Sequence, residues 1–283
     1  MKGKNCLITG ANSGIGKATA IGLAKEGATI IMVCRDKERG EKAKKEIVEL
    51  TNNKNVDLFL CDLSSQEDIR KLVSEFKGKY QSLHVLINNA GVMISKRILS
   101  DEGLEMNFAV NHLGPFLLTN LLLDILKKSA PSRIINLSSG LHKRGKMDFD
   151  DLQSENKKTG LFRIYGDSKL ALMLWSYELS RRLEGTNVTI NTVHPGVANT
   201  NLGRHQSKFS QGFGKLFFKK PEKGAETSIY LASSPEVEGI TGKYFIKKVP
   251  KQSSKESYNK EYAKRIWEIS AKMTGLDTLL NIN

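Results

Sequence analysis

The 283-residue sequence has few cysteines and prolines and no long apolar run. Its three cysteines, Cys6, Cys34 and Cys61, form an odd set without CxxC spacing, which argues against a disulfide framework and a zinc site. The six prolines are scattered, so no linker marks a domain boundary. No apolar run approaches the roughly 18 residues of a membrane span, and the N-terminus leads almost directly into a strand. We therefore expect one domain, residues 1–283, in a reducing, cytoplasmic compartment.

The sequence also has fewer acidic than basic residues. There are 44 Lys and Arg against 30 Asp and Glu, a net charge of +14. More than half of this excess lies between Arg204 and Arg265, where 14 basic residues face 6 acidic ones. Such a charge suits an anionic cofactor, a polyanion or a membrane surface. Because no nucleic-acid motif accompanies the basic segment, a solvated face is the better interpretation, and we predict no nucleic-acid partner.

Short apolar segments alternate with longer amphipathic ones along the chain. The predicted strands are Cys6–Ile8, Thr29–Cys34, Val56–Leu60, Val85–Ile87, Arg133–Leu137 and Val188–Val193. The predicted helices are Ile15–Glu26, Lys37–Leu50, Gln66–Tyr80, Gly103–Lys128 and Leu161–Leu183. This order predicts an α/β fold, a doubly wound parallel sheet of Rossmann type with helices on both faces. Ligands of such sheets bind beyond the carboxyl ends of the strands.

The first strand ends in TGANSGIG, with Gly10, Gly14 and Gly16 at the turn into a helix. In this position glycines let backbone N–H groups approach a pyrophosphate. The second strand ends in MVCRD, where an NAD site would carry an acidic side chain. Cys34 holds that place and Arg35 follows it, a cation suited to a 2′-phosphate. NADP(H) is therefore the predicted cofactor, although Asp36 could serve as a displaced acid.

Further motifs fall at the same predicted edge of the sheet. Tyr165 and Lys169, four residues apart in YGDSK, share one face of a helix. An ammonium close to a phenol lowers the pKa of the phenol. NNAG, LSS and HPG each close a strand. A Tyr–Lys pair at this spacing is commonplace by itself. Because NNAG, LSS and HPG are predicted to lie at the same edge of the sheet, a functional site is favoured.

Taken together these motifs resemble the short-chain dehydrogenase/reductase family. TGxxxGxG, NNAG, an Asn in the long fourth helix, a Ser after the fifth strand, YxxxK and PG occur in the family's order across almost the whole chain. Finer segments, among them CRD, VNHLGPFLLT, DLQSE and VHPGV, are similar to the retinol-dehydrogenase-like branch. Light-dependent protochlorophyllide reductases and WW-domain-containing oxidoreductases share several of these segments.

The resemblance implies a role for each matching residue. Tyr165 would be the general acid/base, Lys169 would lower its pKa and hold the nicotinamide ribose, and Ser139, rather than Ser138, would bind the substrate oxygen. Asn111 would support a proton relay to Lys169. The expected cofactor-binding set is Gly10, Asn12, Ser13, Gly14, Ile15, Gly16, Arg35, Asp62, Leu63, Asn89, Ala90, Gly91, Tyr165, Lys169, Pro195, Gly196, Val197 and Thr200.

These residues predict an NADP(H)-dependent oxidoreductase that interconverts an alcohol and a carbonyl of an apolar small molecule by hydride transfer. The alternative is a dinucleotide-binding sensor of the same fold without catalysis. No metal site is predicted, because His112 and His142 lack ligand spacing around them. A homo-oligomer is compatible with the sequence.

One segment, around 196–241, is expected to cover the substrate. Within it, FSQGFGKLFFKK combines aromatics with lysines. This stretch, 209–220, could contact a membrane surface weakly or cover an apolar substrate, but a short helix packed on the core is the preferred interpretation.

Overall fold

A computed structural model describes residues 1–94, 96–156, 160–196 and 220–276. Eight strands form one sheet: β1 Asn5–Thr9, β2 Thr29–Cys34, β3 Val56–Leu60, β4 Val85–Asn88, β5 Ser132–Leu137, β6 Val188–His194, β7 Tyr244–Ile246 and β8 Val249–Lys251. The principal helices are α1 Gly14–Lys25, α2 Lys37–Thr51, α3 Gln66–Lys79, α4 Met106–Phe108, α5 Gly114–Leu121, α6 Leu123–Lys128, α7 Leu161–Arg182, α8 Pro221–Ser233 and α9 Lys260–Met273.

The strand order is β3-β2-β1-β4-β5-β6-β7-β8, and every neighbouring pair is parallel except β7 and β8. The chain therefore winds outward from β1 in one direction and from β4 in the other. This confirms the predicted doubly wound sheet. A ligand site is expected at the point where the winding reverses, between β1 and β4.

Both faces of the sheet are covered, because neighbouring residues of one strand contribute to different cores. Leu7 and Leu86 pack with α3, α5, α7 and α9 on one face. Ile8 and Ile87 pack with α1, α2 and α8 on the other. Side chains alternate across a strand, so only a nearly continuous apolar run serves two cores.

The structure differs from the sequence prediction in two places. The predicted helix Gly103–Lys128 is interrupted: α4 passes into a π-helical turn over Ala109–Leu113, and α5 ends before Leu122. The sheet also continues through β7 and β8, which had not been predicted as strands. Each is only three residues long, too short for a recognisable pattern.

The expected substrate-covering segment is described only in part. Residues 197–219, including the aromatic-lysine stretch up to 219, lie outside the described residues. The described remainder contains α8, which packs on α1. At this contact Gly22 faces the side chain of Ile229, and a Cβ at Gly22 would collide with it. None of the helices in the described part of the chain has the length and apolar character needed to span a bilayer.

Candidate active site

The predicted site residues gather at the carboxyl edge of the sheet. Gly10 follows β1, Asn89 follows β4, Ser139 follows β5 and Pro195 follows β6. This is the edge at which parallel α/β sheets bind ligands.

The turn after β1 is built on glycines and on Asn89. Gly10 and Gly14 have φ of +67° and +54°, a region that side chains disfavour. The Asn89 amide donates to the Thr9 carbonyl at 2.7 Å. A Cβ at Gly16 would collide with this amide and with the Gly10 carbonyl, so only glycine fits there. β1, β4 and α1 are thereby held in close contact.

The N-terminus of α1 faces this edge. The helix begins at Gly14, and its N-cap Ser13 makes no side-chain hydrogen bond to it. The first N–H groups of a helix have no partners within the helix, and the macrodipole makes the position favourable for an anion. Asn12 and Ile15 belong to the same turn, and Ile15 is buried.

Arg35 and Asp62 form an ion pair after β2 and β3. The Arg35 Nη1 lies 3.1 Å from the Asp62 Oδ2, and 65% of the Arg35 side chain is exposed. Asp62 also accepts two hydrogen bonds from Ser64, at 2.9 and 2.7 Å. Partial burial raises the pKa of Asp62, but the bonds from Ser64 and the Arg35 guanidinium outweigh it, so the pKa lies below its usual range. A guanidinium has five N–H donors, and the exposure of Arg35 leaves it accessible to a second anion.

Asn111 fixes the chain that follows β4. It lies buried in the π-helical turn, its Oδ1 accepts from Val92 N at 2.9 Å, and its Nδ2 donates to Val92 O at 2.9 Å. The same amide donates to Ser168 Oγ at 3.0 Å. A Cβ at Gly91 would lie 2.9 Å from the Asn111 Oδ1 and 3.5 Å from the Lys169 Nζ. Gly91 is therefore the residue that lets this strand end approach Asn111 and Lys169.

Tyr165, Lys169 and Ser139 come together beside β5. Tyr165 and Lys169 are both 4% exposed, and the Lys169 Nζ lies 5.9 Å from the centroid of the Tyr165 ring. Lys169 donates to the Leu137 carbonyl at 2.8 Å. A hydrogen bond joins Tyr165 to Ser139. By contrast, the Ser138 hydroxyl is buried and has no hydrogen-bond partner among the residues that the structure describes. The choice of Ser139 over Ser138 as the substrate-binding serine stays a prediction.

Burial dominates the pKa values of Tyr165 and Lys169. Burial raises the pKa of Tyr165 to about 12, although the hydrogen bond with Ser139 acts in the opposite direction. Burial also lowers the pKa of Lys169 to about 7. Desolvation penalises the charged form of each group, and here it outweighs the attraction between an ammonium and a phenolate.

The remaining predicted residues are less directly placed. Leu63 is buried, and its carbonyl oxygen lies against Gly114. Pro195 and Gly196 close β6, with Gly196 at φ +82°. Val197 and Thr200 lie outside the described residues.

The structure adds residues that sequence reasoning did not single out. Thr9 Oγ1 accepts from Asn89 N and Ala90 N at 2.9 and 3.0 Å. Asn107 holds the backbone of Ile94 as Asn111 holds that of Val92. The spacing of Asn107 and Asn111, four residues on one helix, was a signal for this pairing. In the described part of the chain no three His, Cys, Asp or Glu side chains are grouped to hold a metal ion.

A doubly wound sheet with this arrangement of Ser, Tyr, Lys and Asn defines a short-chain oxidoreductase. The chain belongs to the short-chain dehydrogenase/reductase family and, within it, to the retinol-dehydrogenase-like branch, whose members interconvert alcohols and carbonyls. A model of the short chain dehydrogenase family matches residues 4–211.

Individual relatives agree with this assignment. Human retinol dehydrogenase 13 is 47% identical over 97% of this chain and 86% of its own length. A crystal structure of a Mycobacterium paratuberculosis protein is similar, with a TM-score of 0.80, 30% identity, and coverage of 97% of this chain and 94% of that one. The RhlG/NADP complex of Pseudomonas aeruginosa has a TM-score of 0.69 and 25% identity, covering 87% of this chain and 94% of that one.

Proposed function

We propose that this protein is an NADP(H)-dependent oxidoreductase that interconverts an apolar alcohol and its carbonyl compound, with Tyr165 as the general acid/base. One observation carries the proposal: Tyr165 is hydrogen-bonded to Ser139 while Lys169 lies buried beside its ring. A protein that only binds a dinucleotide has no need to bury a lysine and a tyrosine together at a cost in desolvation.

The residues present fit a phosphorylated dinucleotide. The unpartnered N–H groups in the first turn of α1 suit a pyrophosphate. The exposed guanidinium of Arg35 suits a 2′-phosphate, and the buried Cys34 before it offers no carboxylate for a 2′-hydroxyl. The NADP found in the complex of the related RhlG supports this choice.

The remaining chemistry falls to the side chains. The nicotinamide, when bound, donates or accepts a hydride. Tyr165 gives its phenolic proton to the substrate oxygen in reduction and takes it back in oxidation. The Ser139 hydroxyl holds that oxygen and stabilises the charge that develops on it. Within the described residues Lys169 donates one N–H to Leu137 O, which leaves two N–H groups of the ammonium for the ribose and the proton relay.

Asn111 serves this arrangement by holding the chain near Lys169. Its two N–H donors are used by Val92 O and Ser168 Oγ, and its Oδ1 accepts from Val92 N. The Lys169 pKa of about 7 means that this ammonium can release and regain a proton near neutral pH. Lys169 is thus the group best suited to pass protons to and from Tyr165.

An apolar substrate is supported by an exposed aromatic side chain near Tyr165 and by the relatives. Phe162, one turn before Tyr165 on α7, is 51% exposed. The Arg144 guanidinium lies 5.7 Å from its ring, so Phe162 stands beside the segment that follows Ser139. Human retinol dehydrogenase 13 is named for an apolar primary alcohol. We therefore propose long-chain or isoprenoid aldehydes and alcohols as the substrate class.

The test is to assay the purified protein with decanal and all-trans-retinal in the presence of NADPH or NADH, and with all-trans-retinol in the presence of NADP⁺. Turnover should be found with NADPH. Tyr165→Phe should lower kcat by about 10² to 10⁴-fold with NADPH affinity nearly unchanged, because only the transferable proton is lost.

Tyr230→Phe is the matched control, since Tyr230 lies on α8 and its hydroxyl donates to Glu236 at 3.0 Å. It should leave turnover intact. Near-normal turnover of Tyr165→Phe would refute the acid/base assignment. NADPH binding without turnover of any of these compounds would identify a sensor instead.

A further inference from the structure

A buried histidine that the proposed mechanism does not use lies directly behind Ser139. His142 belongs to a short 3₁₀ helix, Gly140–Arg144, and is 0% exposed. Its Nδ1 lies 2.6 Å from the Ser139 carbonyl oxygen, and Ser254 N donates to its Nε2 at 3.1 Å. A backbone N–H can only donate, so Nε2 carries no proton and Nδ1 does. His142 is therefore a neutral bridge between two backbone groups far apart in sequence.

The far end of this bridge is fixed to the helix that carries Tyr165. Ser253 Oγ lies 2.9 Å from the Tyr177 hydroxyl and 2.6 Å from Ser257 Oγ. Tyr177 lies on α7, about three turns beyond Tyr165. The ring of His142 also packs edge-on against Tyr244 of β7, with 5.0 Å between centroids. The residues around Ser254 are thus anchored to α7 and lie next to the sheet.

The near end determines where the Ser139 hydroxyl lies. The Ser139 carbonyl accepts both from the His142 ring and from His142 N, at 3.1 Å. Ser139 Oγ accepts from Leu141 N at 3.2 Å. On the opposite side Gly140 N donates to the Nδ1 of His194 at 3.2 Å. Without the His142 ring, the loop would lose its only link to Ser254 among the described hydrogen bonds.

We propose that His142 is a positioning residue that fixes the Ser139 hydroxyl relative to Tyr165 by tying the Ser139 backbone to Ser254. Ser139 and Tyr165 are then joined twice, once by their own hydrogen bond and once through His142, Ser254, Ser253 and Tyr177. The proposal rests on the role given to Ser139 in the proposed function. Small displacements of a group that holds the reacting oxygen cost large factors in rate.

The first experiment changes the histidine itself. His142→Phe keeps the ring and its contact with Tyr244 but removes both hydrogen bonds, and it should lower kcat for decanal with NADPH about tenfold or more. The Kd for NADPH, from quenching of protein fluorescence, should stay within about twofold. His142→Asn retains a donor close to the position of Nδ1 and should recover part of the loss.

A second pair of variants breaks the bridge from the other side. Ser254→Pro replaces the N–H donor with a ring carbon at a residue whose φ is −69°, which proline accepts, so the imidazole must shift. Ser254→Ala keeps the N–H and removes a buried hydroxyl that has no hydrogen-bond partner within the described ranges. Ser254→Pro should lower kcat as His142→Phe does, while Ser254→Ala should match the unmutated enzyme.

Two further measurements separate positioning from stability. His84→Gln changes a histidine that accepts a backbone N–H from Asn5 at 3.0 Å, at the opposite edge of the sheet. It should lower Tm without changing kcat. In a Ser139→Ala background, adding His142→Phe should change kcat by less than about twofold, because the positioned hydroxyl is already gone.

The outcomes distinguish the two proposals. If Ser139→Ala retains full activity, the serine role in the proposed function fails and this inference fails with it. If Ser139→Ala loses activity while His142→Phe and Ser254→Pro keep kcat within about twofold, the proposed function stands and only the positioning role is overturned. An undiminished effect of His142→Phe in the Ser139→Ala background would also overturn it.

Discussion

The Lys169 ammonium lies 5.9 Å from the centre of the Tyr165 ring, and burial moves the pKa values of the two groups in opposite directions. The pKa of Tyr165 rises to about 12 and that of Lys169 falls to about 7. The protein alone therefore keeps both groups close to their neutral forms at slightly alkaline pH. Positive charge brought beside Tyr165 would favour the phenolate and lower this pKa.

Removing the buried ammonium should stabilise the fold in a pH-dependent way. An unfolded Lys has a pKa of about 10.4, against about 7 for Lys169 in the folded chain. Below pH 7 both states bind the proton, and the folded state carries the full cost of a buried charge. Between pH 7 and about 10.4 the folded state has released the proton, so the cost disappears as the pH rises. Lys169→Met should therefore raise the free energy of unfolding at pH 6 by about 1 kcal/mol or more.

Urea unfolding at pH 6 and pH 9.5 measures this difference. The gain from Lys169→Met should shrink at the higher pH. Lys45→Met, at an exposed position on α2, is the control and should show no such dependence. A Lys169→Met protein that is less stable than the unmutated one at pH 6 would contradict the argument.

The sequence predicted the sheet well because two-sided burial leaves a strong pattern. Strands such as β2 and β4 are apolar at nearly every position, and the helices between the strands are long enough for their period to be read. The clustering of Ser139, Tyr165 and Lys169 followed from the rule that parallel strands end at one edge. β7 leaves no recognisable hydrophobic pattern because it is very short. The π-helical turn leaves none because it is a local change of helical winding.

Properties that depend on distant contacts could not be predicted. The raised pKa of Tyr165 comes from its burial in the folded chain. The role of His142 depends on Ser254, which follows it by more than a hundred residues. In the sequence His142 is one histidine without ligand spacing, and no pattern marks Ser254 as its partner.

Two asparagines on one helix face clamp alternate residues of the chain after β4. Asn107 accepts from Ile94 N at 2.9 Å and donates to Ile94 O at 3.1 Å. Asn111 makes the equivalent pair with Val92. Asn107→Leu should cost about 1 to 3 kcal/mol of stability, because it leaves buried backbone groups of Ile94 without partners.

Comparison of the two sites tests what each asparagine contributes. Chemical denaturation should show similar losses for Asn107→Leu and Asn111→Leu. Only Asn111→Leu should also lower kcat strongly, because Gly91 and Lys169 lie against Asn111. Equal losses of kcat in both variants would show that the clamp acts as one unit.

Gly16 and Gly78 are helical glycines in opposite environments. A Cβ at Gly16 would collide with the Asn89 amide and the Gly10 carbonyl, whereas a Cβ at Gly78 meets nothing within 4 Å. Gly78→Ala should therefore stabilise the protein by up to about 1 kcal/mol, the difference in helix propensity. Gly16→Ala should destabilise it and weaken NADPH binding, since the turn after β1 must open. Thermal unfolding and fluorescence titration of the two variants measure both effects, and equal Tm shifts would refute the close contact.

Arg35 is expected to determine the choice between NADPH and NADH. Its guanidinium is exposed and already paired with Asp62 at 3.1 Å, so a 2′-phosphate would add a second anionic partner to a cation that is held in place. A charge-assisted contact of this kind contributes about 1.5 to 3 kcal/mol, or about ten- to a hundredfold in affinity. NADPH should therefore bind more tightly than NADH, and Arg35→Ala should remove most of the difference while changing NADH affinity little.

The control variant is Lys45→Ala, at an exposed lysine on α2, which accounts for the general loss of positive charge. Direct titration of both cofactors by fluorescence decides the matter: equal Kd values in the unmutated protein, or equal weakening by the two variants, would rule out a specific phosphate contact at Arg35.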